Sequence, residues 1–185
     1  SQLIAKTGYS RIGGFEIYLS RPELGSSLWE TILEAGRSEN IRPGSPNIID
    51  RVEAGLLSFG NEMTVENTPL ECNMDKFLDI NKEADYIGKK VLQRQIRYGI
   101  KRRIRGVIYN GPKLPTISRP LQVFDIDKRT IVGSLTSGAF SPHFKRNIGV
   151  GMIKYGYWDN NKKILVNIAD QEFREGLIKD LPLIQ

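Results

Sequence analysis

The amino-acid sequence predicts an α+β protein, a hairpin with helices followed by a small all-β barrel. Three observations point there. Apolar residues alternate at a period of two over Phe15–Leu19 and then recur at a helical period over Leu24–Ile32. From about Arg103 the helical texture stops. Short alternating segments, separated by turn residues, take over to the end. The change of texture divides the chain into residues 1–98 and 99–185.

The elements follow in order. Leu3 to Tyr9 reads as extended, Ser10-Arg11-Ile12-Gly13-Gly14 as a turn, and Phe15-Glu16-Ile17-Tyr18-Leu19 as a returning strand. Successive side chains alternate across a strand, so Phe15, Ile17 and Leu19 face one way and Glu16 and Tyr18 the other. Ser20-Arg21-Pro22-Glu23 resembles a capping box opening a helix striped by Leu24, Leu28 and Ile32, with Gly36 as its stop. Ser45-Pro46 caps a second helix striped by Ile48, Val52 and Leu56 and ended by Gly60. Thr68 to Ile80 reads as extended with breaks, and Tyr86 to Tyr98 as a third helix with a basic outer face. Strands are then expected at Ile104–Tyr109, Leu121–Asp125, Ile131–Thr136, Ile148–Tyr155 and Ile164–Ala169, with a last one near Leu177. Asp127-Lys128-Arg129 and Asp159-Asn160-Asn161 read as turns.

Composition narrows the function classes. With 39% hydrophobic and 26% charged residues, the chain has the balance of an ordinary globular protein that buries a core. No apolar run approaches the ~18 residues a membrane span needs. The first residues read like a strand already in progress, which suggests a fragment or a protein made in two pieces. A single cysteine, Cys72, excludes an internal disulfide and suits a reducing cytoplasm. A single histidine, His143, gives no zinc ligand set, and no nucleophile-elbow sequence accompanies it, so no metal site is expected and His143 reads as a loop residue. Residues 1–97 carry a net charge of −2 and the remainder +8. Much of that excess lies in Lys101-Arg102-Arg103-Ile104-Arg105, which reads as a solvated linker or as a basic patch for RNA, an anionic cofactor tail or an acidic partner.

Several segments together resemble a known family. Thr7-Gly8-Tyr9 and Glu16-Ile17 repeat the aminomethyltransferase (glycine cleavage T-protein) pattern Thr-Gly-Tyr-x6-Glu-Ile. Asp50 through Thr64, containing Arg51-Val52-Glu53-Ala54-Gly55, is similar to the family's Arg-Leu-Glu-Ala-Gly helix and the loop after it. Thr68-Pro69-Leu70-Glu71-Cys72 and Tyr86-Ile87-Gly88-Lys89-Lys90 resemble two further segments. Thr136 through Pro142 and Asn147 through Gly151 resemble the signature of its carboxy-terminal barrel. Five pieces in the right order span nearly the whole chain. Gly13 through Tyr18, Ser141-Pro142-His143-Phe144 and Asp180 through Ile184 look most similar to the dimethylsulfoniopropionate demethylase branch. Ser10-Arg11-Ile12-Gly13 departs from the turn common in T-proteins, which points away from glycine cleavage itself.

The resemblance implies a tetrahydrofolate-dependent methyl or aminomethyl transferase, present as its carboxy-terminal portion. Residues 1–98 would be part of a ferredoxin-like-type folate-binding domain and 99–185 the closing barrel. It implies that Glu16 grips the pterin, Tyr9 lines the pocket, Tyr18 touches folate, and Arg51 reaches a carboxylate of folate or substrate. The chemistry is consistent for Glu16, because a pterin offers a ring N–H beside an exocyclic amine, a donor pair that a carboxylate accepts in bidentate fashion. On residues alone, Glu16 and Tyr18 could equally be the wet face of a hairpin. Arg51 could pair with Asp50 or Glu53 or cap neighbouring carbonyls, and Glu53 reads as an ion-pair partner. No catalytic residue is assigned. The family's aspartate near the reacting nitrogen, and most donor contacts, belong to an amino-terminal half in the same or a separate chain. A non-catalytic folate-binding protein, or a basic barrel module, is the alternative reading.

Overall fold

The structure is a computed structural model describing residues 2–9, 13–45 and 47–184. Packing divides the chain into two units, Ser1–Asn47 and Ile48–Gln185. In the first, β1 (Gln2–Ala5) pairs antiparallel with β2 (Glu16–Leu19), placing Ala5 opposite Glu16 and Leu3 opposite Tyr18. Ser10, Arg11 and Ile12 of the expected turn lie outside the described residues. Alternation sets the side chains but does not bury one face. Phe15 is 69% exposed and Tyr18 54%.

A 3-10 turn, Pro22–Leu24, leads into α1 (Gly25–Ala35), on which Leu28 and Ile32 are half-buried. The expected capping box does not form. The cap position falls on Arg21, which pairs with the Glu23 carboxylate at 2.8 Å and so engages the group that would have reached back. Gly36 ends the helix as expected.

The second unit opens with α2 (Ile48–Glu53), shorter than the apolar stripe suggests. Gly55, at φ +67°, turns the chain long before Gly60, and a Cβ there would press on Leu181 and Pro182. Pro46 of the expected cap lies outside the described residues. Thr68 to Ile80 is built of turns and a 3-10 segment, Asp75–Phe77, rather than extended chain. Local bonds favour the turns. The Glu71 carboxylate accepts the Thr68 N–H, and the Met74 N–H reaches the Pro69 carbonyl. The third helix, α3 (Lys89–Tyr98), starts three residues later than expected, behind Gly88 at φ +88°.

Six antiparallel strands then close a barrel. They are β3 (Arg102–Tyr109), β4 (Leu121–Phe124), β5 (Ile131–Ser141), β6 (Arg146–Lys154), β7 (Lys163–Ala169) and β8 (Glu172–Lys179), in the order β3-β6-β5-β4-β7-β8. All six expected strands are present. β5 runs five residues further than its apolar run, through Ser141, with a bulge between Leu135 and Ser137. Turn chemistry serves the hairpins, with the Asp127 carboxylate accepting the N–H groups of Arg129 and Thr130.

Two cores result. Val107, Tyr109, Val123, Val132, Leu135, Ile153, Ile164, Val166 and Ile178 fill the barrel. Ile104, Ile148 and Val150, on the opposite face of β3 and β6, pack with Val52 of α2 and with Cys72. Both faces of this strand pair are therefore buried, and α2 is held against the barrel wall. Fully burying Val52 alone stabilises the fold by about 1.5–3 kcal/mol.

Candidate functional site

Within the first unit, Glu16 begins β2 and Tyr18 follows on the same face, both exposed. The Thr7 hydroxyl donates to the Glu16 carboxylate. Thr7 belongs to the same short motif as Tyr9, yet no role could be read for it from sequence. Its signal was the constant interval to Glu16, and pairing of the hairpin turns that interval into a contact. Tyr9 is 45% exposed in the bend after β1. The unit thus presents a carboxylate on a paired strand, held from one side by a hydroxyl, with a phenol two residues on. Such a carboxylate has lone pairs left for two neighbouring N–H donors.

Arg51, in the second unit, has a different setting. Its side chain is 8% exposed and faces the Glu62 carboxylate, Nη1 to Oε2 at 2.9 Å and Nη2 to Oε1 at 3.3 Å. Nη1 also donates to the Leu56 carbonyl and Nη2 to the Ser137 hydroxyl, at 2.9 and 2.7 Å. Asn61 donates to Ser137 and Glu62 as well. The partner is therefore Glu62, not Asp50 or Glu53. Eleven and 86 residues separate Arg51 from its two side-chain partners, so no local spacing announces them. Glu53 is no ion-pair partner either. Its buried carboxylate accepts the Ser141 hydroxyl, and Ser141 Oγ in turn accepts the Phe144 N–H. These bonds tie α2 to β5 at two levels.

The basic run is largely neutralised. Arg102 pairs with Glu71, Arg103 with Asp75 and Arg105 with Asp180. Among the described residues Lys101 alone of the run has no ion-pair partner. His143 lies in the turn between β5 and β6, edge-on to Phe144. Burial, with Glu71 beside it, pushes the Cys72 thiol above its ordinary pKa, which keeps it protonated and inert. Among the described residues no group of His, Cys, Asp and Glu is placed to hold a metal, and no helix is long and apolar enough to cross a membrane.

A family model described as the GCVT N-terminal domain matches residues 1–82, and one described as the glycine cleavage T-protein C-terminal barrel domain matches residues 102–181. The chain belongs to the aminomethyltransferase (glycine cleavage T-protein) family. The barrel signature read around Thr136 to Gly151 thus lies in the domain that carries the family's name. The chain is 42% identical to the dimethylsulfoniopropionate demethylase of Ruegeria pomeroyi over 156 residues, covering 84% of this chain and 42% of that protein. It is 37% identical to an aminomethyltransferase of Caldanaerobacter subterraneus over 178 residues, 95% of this chain and 46% of that protein. The crystal structure of aminomethyltransferase T from Bartonella henselae superposes with a TM-score of 0.82 at 22% identity, covering 99% of this chain and 50% of that one. That likeness establishes the fold. The chain spans about half the length of these family members.

Proposed function

We propose that this chain is the carboxy-terminal portion of a tetrahydrofolate-dependent one-carbon transferase, moving a methyl or aminomethyl group in the cytoplasm. The observation that carries the reading is the Glu16 carboxylate, presented on β2 and held by Thr7. Tetrahydrofolate, when bound, would supply a nitrogen that accepts the one-carbon unit. Glu16 would take the pterin's paired N–H donors, with Tyr9 and Tyr18 against the ring system. Arg51 enters as a folate-facing residue by exchanging the Ser137 hydroxyl on Nη2 for a carboxylate of the ligand, while Nη1 keeps Glu62. The chain's contribution is alignment in a dry pocket, which can account for several kcal/mol of a transfer barrier. As functional domains we retain 1–98 and 99–185, a division that falls within the stretch 83–101 between the two family matches. An amino-terminal half, joined or separate, would provide the donor contacts.

The 42% identity to a dimethylsulfoniopropionate demethylase makes dimethylsulfoniopropionate the first donor to test. The protein reconstituted with an amino-terminal half should bind tetrahydrofolate and form methyltetrahydrofolate from it. Binding without product from any donor would favour the non-catalytic folate-binding reading. Failure to bind tetrahydrofolate at all would overturn the proposal.

A further inference from the structure

The second unit carries a cleft that the folate reading does not use. It lies between α3 and the end of the barrel, with a volume of about 1490 Å³. Small-ligand sites enclose roughly 300–1,000 Å³, so this one suits a length of polymer chain. Its helical wall is the stripe Val91, Gln95 and Tyr98, spaced to lie on one face. α3 buries only Leu92, leaving Val91 53% and Tyr98 71% exposed. A helix so thinly anchored still has an apolar face to cover.

The polar groups state what would cover it. Arg94, Lys101, Arg102 and Lys154 line the cleft with a single carboxylate, Glu71, which Arg102 already neutralises. Among the described residues Arg94 and Lys101 make no ion pair, and Lys154 meets the Ile131 carbonyl. The site therefore asks for negative charge and for an apolar group together. A polypeptide with acidic and apolar side chains meets both, its carboxylates reaching the free cations. Single-stranded RNA would find stacking faces only at Tyr98 and Tyr155, with Arg97 already over the Tyr98 ring and Trp158 edge-on to Tyr155, and it would leave Val91 uncovered.

We propose that the α3 cleft docks an acidic, partly apolar segment of a partner protein. The proposal is independent of the folate reading.

The test is fluorescence anisotropy on the full chain with a short labelled peptide of Glu residues interspersed with Leu. Its comparators are the same peptide with Lys for Glu, and labelled oligouridylate. Binding of the acidic peptide should weaken about tenfold or more in Arg94→Glu/Lys101→Glu and several-fold in Val91→Ser, with an unchanged melting transition. A charge-matched control on another face, Arg146→Glu/Lys163→Glu, should bind as the parent does. No binding of the acidic peptide overturns the proposal, as does oligouridylate binding as tightly or more tightly. So does a loss in the control equal to that in the cleft variant, or Val91→Ser without effect, because either would reduce the interaction to net charge.

Discussion

Glu16 stands at the first position of β2 with the Thr7 hydroxyl on its carboxylate, so its orientation is set before any ligand arrives. Exchanging it for Gln keeps the shape but points an amide donor at the pterin's own donors. In the reconstituted protein, Glu16→Gln should cost about 2–3 kcal/mol of tetrahydrofolate affinity by calorimetry, the scale of a charge-assisted bond. Unchanged affinity would remove Glu16 from the site. Arg51 makes the opposite kind of prediction, about stability. Arg51→Ala leaves Glu62 charged and buried, so the urea midpoint should fall by the equivalent of about 3–5 kcal/mol. Arg51→Met/Glu62→Leu, which removes both charges, should recover most of it. Tyr109 supplies a pH dependence. Burial in the barrel core pushes its phenol from 10 up to about 12. A raised folded-state pKa gives stability that is complete below pH 10 and lost as the pH climbs to about 12. The loss amounts to about 2–3 kcal/mol, and Tyr109→Phe should remove this part of the alkaline decline.

At the scale of elements, the barrel closes through glycines that let strands approach. A Cβ on Gly151 would sit 1.9 Å from the Ser134 carbonyl and 2.7 Å from Leu135 Cα, both backbone atoms of the neighbouring strand. Backbone cannot swing away as a flexible side chain can. Gly151→Ala should therefore separate β5 from β6 and cost about 3 kcal/mol or more in denaturant unfolding. The connections differ among themselves. Asn110 to Arg119 has the composition of a loose loop, but Asn147 bonds Gly111, Pro112 and Leu114, and Ile117 donates to Gly138. Between α3 and β3, Gly99 and Lys101 are exposed and Ile100 half-buried. Trypsin should thus cut at Arg97 or Lys101 well before Lys113 or Arg119, as intact-mass analysis of an early time course would show. Prior cutting at Lys113 would mean that the Asn147 bonds do not restrain the loop.

The whole molecule presents the proposed pterin contacts on a hairpin that leaves Leu3, Ile4, Phe15 and Tyr18 more than half exposed. Hydrogen bonds offered in water compete with solvent and yield little net energy. The 185-residue chain alone should therefore bind tetrahydrofolate weakly. It should give no product from dimethylsulfoniopropionate or from an aminomethyl-lipoyl protein. Reconstitution with an amino-terminal half should restore both folate binding and turnover. Mass spectrometry of the folate pool after incubation separates the outcomes, and methylated or methylene folate formed by the chain alone at enzyme-like rates would place the whole catalytic set within these residues.

By itself the sequence determined the α+β-then-barrel order, all six barrel strands and the family, and it proposed Tyr9, Glu16, Tyr18 and Arg51 as folate contacts. Those are matters of periodicity, turn chemistry and short motifs, which act over a few residues and can be read along the chain. Even locally there were losers. Gly55 ended α2 where the apolar stripe ran on, because its Cβ-free, positive-φ turn fits against Leu181, more than a hundred residues away. Arg21 captured Glu23 from the expected capping box. Only the tertiary structure decided what Arg51 holds, that Ser141 satisfies Glu53, and that three of the four arginines and lysines in the basic run are paired. Each joins residues from separate turns, helices and strands. The physical reason is common to all of them. Buried or exposed, a charge takes whichever partner the fold brings within about 3 Å, and chain separation plays no part in that choice.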